Sequence, residues 1–464
     1  MSDNQVKPER PGGFLDFLPQ DYLSRESMIR TIEHVFRSFG FDPVETPRIE
    51  FLKTLAGETS DTGKNIFHIQ KTTDDEQLAL PFDHTVPFAR LLAANPFDSK
   101  RKTGIRLPWR RMVIGPVFRA DTPQSGRYRQ FYQFDADIAG TTSMMADAEI
   151  VAMMVQTMTA LSVDQFIIRL NNRKILNALA EIVGIQNRGK IQQEDIIREM
   201  MRILDKLDKI GLQGTLNLLK ESPKTDFDPM PNLSDDAITK IQTFLTISGN
   251  NRDKLSQCDA LFKHSSTGCE GVMELRQILD YCQCMTISDP VIQIDFSIAR
   301  GLDYYTGPVM EMILPDAPEF GSVFSGGRYN NLVSRFTGKE LPAVGASIGI
   351  DRLFAALNHL GKLDRSKQTV TDVMILRLEK SRDLDYMAIA NDIRKNGLNV
   401  EICLSEDTTF KKQFNFAISK GVHYVIICGG NEFDKQTVQV KNLVTRQQEE
   451  ISRQELVHYN FKQI

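Results

Sequence analysis

No segment of the 464-residue sequence is apolar for long enough to cross a bilayer. The longest run free of Asp, Glu, Lys and Arg, Ile150 to Val163, has 14 residues, against the roughly 18 to 20 that a spanning helix needs. The N-terminus carries Asp3, Lys7, Glu9 and Arg10 and has no apolar stretch of the secretory kind. Cysteine is scarce: six residues without a disulfide framework fit a reducing compartment. Cys258, Cys269, Cys282 and Cys284 have His264 near them, but no Cys-x-x-Cys pair of the structural zinc type occurs. Charge of one sign is missing too. With 56 Lys plus Arg against 60 Asp plus Glu, no diffuse positive field is available to gather nucleic acid. A soluble, cytosolic protein with no membrane partner is expected.

What is present is ordinary globular material, 41% hydrophobic and 25% charged, in a chain long enough for several domains at roughly 150 residues each. Asp21 to Phe39 has apolar residues at helical spacing with Gly40 as a stop. Val113 to Phe118 and Gln130 to Ile138 read as two strands of a long-looped antiparallel hairpin. A helix over Asp147 to Leu161 and a strand over Gln165 to Leu170 follow. From about Lys174 to Asp280 the pattern is helical, and strand character returns at Val291 to Phe296, Pro308 to Ile313 and Ser322 to Phe324. The helical block therefore reads as an insertion that splits a β scaffold. Beyond the polar linker Gly361 to Thr371, the strands Val373 to Leu378, Val400 to Leu404 and Tyr424 to Cys428 alternate with helices, predicting a three-layer α/β module with a largely parallel sheet. The expected boundaries are 1–173 and 286–362 for a split catalytic domain, 174–285 for the insertion and 370–464 for the terminal domain.

The basic run Lys100 to Arg111 reads first as a solvated loop. The hairpin is more specific. Its second strand places Phe131, Gln133, Asp135 and Asp137 on one face, and Arg119 and Arg127 flank its loop, where a planar guanidinium suits a phosphate. Around it stand Leu80-Pro-Phe-Asp83-His84-Thr85, Ala299-Arg300-Gly-Leu-Asp303-Tyr304-Tyr305, Ser325-Gly-Gly-Arg328-Tyr-Asn330 and Gly345-Ala-Ser-Ile-Gly349-Ile-Asp351-Arg352. Together these segments resemble the histidyl-tRNA synthetases, a family of class II aminoacyl-tRNA synthetases, over nearly the whole chain.

The resemblance implies an α+β fold: an antiparallel-sheet catalytic domain with a helical insertion, and a C-terminal α/β anticodon-binding domain. It implies ATP as substrate, Mg²⁺ with the ATP, L-histidine and tRNA(His) as partners, and a homodimer formed through the helix and strand from Glu33 to Pro47. It assigns Arg119 and Arg352 to the α- and γ-phosphates, Arg127 less specifically to the phosphates, and Phe131 to the adenine. Arg300 is implied between the amino-acid carboxylate and the α-phosphate. Asp83, Thr85 and Gln133 match the α-amino contacts, and Asp137 with Tyr304 or Tyr305 matches the imidazole contacts. Metal-binding side chains are not identified. The chain departs from the family pattern at Phe14-Leu15, at His84, expected to point away from the pocket, and at Asn330, where an acid is usual. Two rivals are a non-catalytic regulatory paralogue of histidine biosynthesis and a class II synthetase for another amino acid. The terminal module, with 13 basic and 13 acidic residues from 370 onward, is expected to read unstacked bases through Phe410-Lys-Lys-Gln-Phe414 and Val440 to Thr445 rather than through a general field.

Overall fold

The computed structural model describes residues 6–56, 65–70, 76–123, 126–225, 227–287, 289–299 and 304–461. They form two compact units, one of residues Met1–Leu15 and Ile29–Lys362, the other of Asp16–Met28 and Leu363–Ile464. Among the described residues no helix is long and apolar enough to cross a membrane.

The strands of the first unit are β1 (Asp42–Pro43), β2 (Glu50–Phe51), β3 (His68–Ile69), β4 (Leu78–Ala79), β5 (Trp109–Phe118), β6 (Gln130–Ala139), β7 (Ile167–Asn172), β8 (Ile292–Ile294), β9 (Pro308–Ile313), β10 (Ser322–Tyr329) and β11 (Ala343–Gly349). Strands β2, β4 and β3 make a small sheet, and the other eight a large one in the order β1-β5-β6-β11-β10-β9-β7-β8. Its six central strands are antiparallel, and only β1 and β8 at the edges pair in parallel.

Strand β6 shows why this sheet holds a site. Phe134, Ala136 and Ile138 on one face are buried, and so are the polar Gln133, Asp135 and Asp137 on the other. A strand between core and solvent would leave its polar face wet; here that face lines a cavity. The apolar face packs on helices: the Phe36 ring, from the helix Pro19–Ser38, lies 4.7 Å from the Phe134 ring and 6.4 Å from the Phe324 ring. Burial of each such ring stabilises by about 1.5–3 kcal/mol. The helix Met144–Ala160 is fixed to β10 by Arg328, which pairs with the fully buried Asp147 and donates to the carbonyls of Thr141 (2.8 Å) and Ser143 (3.1 Å). The arginine of the Ser-Gly-Gly-Arg segment is thus a structural clamp.

The basic run divides. Lys100 to Arg106 is largely exposed, as expected, but β5 begins at Trp109, four residues before the expected Val113, and carries Arg110 and Arg111 into the sheet. Between Arg173 and Cys284 the regular elements of the described residues are all α-helices, joined by loops such as 184–192, and four of them open at side-chain caps, Asn172, Ser234, Ser265 and the Asn250–Asp253 capping box.

In the second unit, β12 (Val373–Ile375), β13 (Val400–Ile402), β14 (Tyr424–Ile427), β15 (Thr437–Asn442) and β16 (Gln448–Ser452) run in the order β13-β12-β14-β15-β16. Val373, Ile375 and Ile426 face one apolar layer, and Met374, Leu376 and Val425 the other, which gives the expected three layers. The sheet is mixed, however, not largely parallel. Strands β13, β12 and β14 are parallel, whereas β15 and β16 return antiparallel. The segment from Val440 starts inside β15, between β14 and β16. A tight return through Val444 and Thr445 replaces the crossover helix that parallel pairing needs.

Candidate active site

Gly115, Gln133 and Gly349 sit opposite one another on β5, β6 and β11, and Arg111, Asp137 and Gly345 form a deeper row. Over Gly115 the space is taken by the Arg48 guanidinium, whereas Gly345 leaves the Asp137 carboxylate room above the sheet. The result is a cavity of about 350 Å³, within the range of small-molecule sites.

Every assigned residue among the described ones lines it. Asp83 and Thr85 come from the turn into the helix Thr85–Ala94; Arg119, Arg127, Phe131, Gln133 and Asp137 from the hairpin; Tyr304 and Tyr305 from the chain entering β9; Arg352 from the helix Ile350–His359. Arg300 lies outside the described residues.

Arg119 is held by a bond from its Nε to the Phe82 carbonyl (2.9 Å); its Nη2 lies 3.5 Å from Gln133 Oε1 and its guanidinium 5.0 Å from the centre of the Phe131 ring. Gln133 in turn donates to Ser347 Oγ (2.8 Å). Arg352 donates to the Ser322 carbonyl (2.7 Å). Arg127 stands at the mouth, half exposed, 3.7 Å from Asp121. Asp83 accepts the Val86 N–H (3.2 Å), so it caps the helix as well as facing the cavity. Burial raises its pKa to about 6, opposed by that N–H and by Arg119.

At the deep end Asp137 takes a hydrogen bond from Tyr329 Oη on Oδ1 and an ion pair from Arg111 at 2.7 Å on Oδ2. Arg111, almost wholly buried, also donates to the His84 carbonyl (3.2 Å) and stacks its guanidinium 4.2 Å from the Phe88 ring centre. Burial pushes Asp137 up to about 6 against the pull of Arg111. The same burial raises the phenols of Tyr304 and Tyr305, so both remain neutral hydroxyls at pH 7. His84 does point away, from the start of a helix rather than along a strand. It donates from Nε2 to the Gly115 carbonyl (3.2 Å), and burial together with Arg111 lowers it to about 3, a neutral structural ring.

Several lining residues carried no assignment from sequence: Tyr329, Ser347, Glu311 and Asp135. Arg111 was hidden in a basic run, although its spacing of two from Val113 continues the strand phase.

A Cβ on Gly345 would fall 2.0 Å from Asp137 Oδ1 and 2.7 Å from the Ala136 carbonyl oxygen. Gly345→Ala is therefore expected to displace the Asp137 carboxylate and raise the KM for the amino-acid substrate at least tenfold while the KM for ATP changes little. Steady-state exchange kinetics on the variant check this.

An antiparallel sheet with an arginine-flanked hairpin beside a glycine strand that runs into an arginine-bearing helix defines the catalytic domain of a class II aminoacyl-tRNA synthetase. Residues 13–353 match the histidyl-tRNA synthetase family and residues 372–463 an anticodon-binding domain. The chain is 36% identical to the histidine–tRNA ligase of Rhodopirellula baltica over 447 residues, covering 96% of each, and 35% identical to that of Clostridium tetani, covering 98% of this chain and 99% of the relative. The crystal structure of histidyl-tRNA synthetase from Nostoc sp. PCC 7120 superposes with a TM-score of 0.78 at 29% identity, covering 98% and 99% of the two chains. The chain belongs to the histidyl-tRNA synthetase family.

Proposed function

We propose that this chain joins L-histidine to tRNA(His) at the expense of ATP. A histidine carboxylate oxygen attacks the α-phosphorus, the bond to the β-phosphate oxygen breaks, and pyrophosphate leaves. The terminal ribose hydroxyl of the tRNA then attacks the carbonyl carbon of the histidyl-adenylate and releases AMP. The observation that carries this reading is the convergence of phosphate-binding arginines, carboxylates and tyrosines from separate motifs on one cavity. Such chemistry rests on positioning and on cations placed where charge develops.

Arg119 takes the α-phosphate, with Phe131 beside it under the adenine. Arg352 and Arg127 take the outer phosphates, and Arg300, by its motif, lies between carboxylate and phosphate. Asp83, Thr85 and Gln133 meet the α-ammonium group, and Asp137, Tyr304 and Tyr305 enclose the imidazole. Mg²⁺ would arrive with the nucleotide and neutralise phosphate charge. Glu311, buried on β9 opposite Ser325 and lining the cavity, is a carboxylate fit to help hold it, since magnesium takes one or two carboxylates with phosphates and water.

The exposed parallel edge strand β1 and the preceding helix favour the homodimer, which sedimentation at micromolar concentration tests. Cytoplasmic residence follows from the reaction, since protein synthesis supplies its tRNA. The rival regulatory paralogue is disfavoured by the retained arginines and terminal module. Charging tests the whole reading: purified protein, ATP and Mg²⁺ should esterify tRNA(His) with histidine and no other amino acid, and failure to charge tRNA(His) would remove it.

In the second unit, Phe410 opens the helix Phe410–Lys420; the residue is 43% exposed and its ring stacks at 5.2 Å and 16° on Phe414, over which Lys441 sits at 5.2 Å. An exposed aromatic beside lysines is a platform for an unstacked base, worth about 1–3 kcal/mol. Gln413, between them in the sequence, is structural and bonds both the N–H and the carbonyl of Arg377. Phe410→Ala is expected to lower the kcat/KM for tRNA about 5- to 150-fold and leave histidine-dependent pyrophosphate exchange intact. Equal loss in both assays would assign Phe410 to packing instead.

A further inference from the structure

Asp351 sits in the first turn of the helix Ile350–His359, one residue ahead of Arg352. It is 4% exposed, and its Oδ2 accepts the backbone N–H of Tyr132 on β6 at 2.7 Å. The place of that bond is informative. The β6–β11 ladder ends at the pair Gln133–Gly349, where β11 gives way to the helix. Tyr132, next along β6, lies beyond that last pair, and a buried backbone N–H left without an acceptor is costly. A carboxylate from the helix takes the place of the missing strand.

The bond joins two parts of the nucleotide site that are far apart in the chain. Tyr132 follows Phe131, whose ring lies beside the Arg119 guanidinium. Asp351 precedes Arg352, so their Cα atoms are about 3.8 Å apart and fixing one fixes the other. Arg352 is tied on a second side as well, since its Nη1 donates to the Ser322 carbonyl of β10 (2.7 Å). An acid in the first turn is favoured by the positive end of the helix, and a charged acceptor bonds an N–H about twice as strongly as a neutral one. The tether is therefore stiff.

We propose that Asp351 is a positioning residue for the outer phosphates of ATP: by holding the start of the helix to β6 at Tyr132, it sets the span between Arg352 and the Phe131–Arg119 end of the nucleotide. The contacts assigned to histidine come from other elements of the cavity and do not pass through this helix. The inference rests on the reading of the cavity as a site for ATP and histidine.

Pyrophosphate exchange is measured on the full chain as wild type, Asp351→Asn, Asp351→Ala, Arg352→Ala and the Asp351→Ala/Arg352→Ala double variant. The companion probe is 5′-O-(N-histidylsulfamoyl)adenosine, which keeps the adenosine and histidine parts of the adenylate but has no β- or γ-phosphate; its inhibition constant is measured alongside. A displacement of about 1 Å at a reacting site can cost about 10²-fold, so in Asp351→Ala the kcat/KM for ATP should fall about 10- to 100-fold while the histidine KM and the inhibition constant hardly change. In the Arg352→Ala background the same substitution should add little, because its effect passes through that arginine. Asp351→Asn keeps the shape and a neutral acceptor, so it should fold and show the same selective defect at about 3- to 10-fold; it decides the question alone if the alanine variant does not fold. Additive losses in the double variant, equal weakening of ATP, histidine and the adenylate mimic, or wild-type kinetics in both Asp351 variants would overturn the proposal. A wild type that supports no exchange with histidine would remove the activity reading and this inference with it, whereas an active wild type with unselective variants removes this inference alone.

Discussion

Arg119→Ala should lower histidine-dependent pyrophosphate exchange by about 10² to 10³, the usual cost of removing one preorganised donor from developing charge. The geometry gives the reason. The guanidinium is braced by its Nε bond to the Phe82 carbonyl and by its position over Phe131, so it is in place before substrate binds. Its Nη2 lies 3.5 Å from Gln133 Oε1, and both side chains line the cavity. Arg119→Lys separates charge from shape, since lysine keeps the charge but lacks the planar fork and the Nε–H that holds Phe82. It should recover only part of the loss, and most of the defect should lie in kcat. Near-normal exchange by Arg119→Ala would remove this arginine from the reaction.

The second large effect belongs to Asp137, and it has two components. Its removal takes the ion-pair partner from the buried Arg111, which is left with one backbone carbonyl, the Phe88 ring and the more distant Asp135 carboxylate. Breaking a buried pair from one side costs about 3–5 kcal/mol, so Asp137→Ala should unfold at distinctly lower temperature. Its histidine kcat/KM should also fall at least tenfold, because Tyr329 and Arg111 lose the oxygens that fix them at the imidazole end. The two components separate experimentally. Adding Arg111→Met removes the stranded charge and should restore much of the lost stability, without restoring histidine use. Kinetics taken well below the unfolding temperature should show a raised histidine KM with the ATP KM little changed. Equal losses for both substrates at that temperature would make Asp137 a purely structural residue.

Asp137 also marks the limit of what the sequence discloses. Alternation along Gln130 to Ala139 places Gln133, Asp135 and Asp137 on one face, and the structure puts them there. What alternation cannot reveal is which partner sits across the ladder. Arg111 is opposite Asp137 only because β5 extends back to Trp109, and in the sequence that stretch is the tail of a basic run. Tyr329 reaches Asp137 from 192 residues away along the chain, a meeting decided by strand order. Arg328, beside it in the same motif, points the opposite way and clamps a helix, as the pleat requires. The terminal module shows the same boundary. Its two longer helices and first three strands are evident from their apolar periodicity, but β15 is buried only at Val438 and Val440 and β16 is polar and largely exposed, so their antiparallel return is not.

Exchange of labelled pyrophosphate into ATP, run with each of the twenty amino acids in turn, tests the central claim most directly, because it reports adenylate formation at this cavity without the tRNA or the second unit. The account predicts exchange with histidine alone, at a rate exceeding every other amino acid by orders of magnitude. Exchange supported best by another amino acid, or by none, would contradict it.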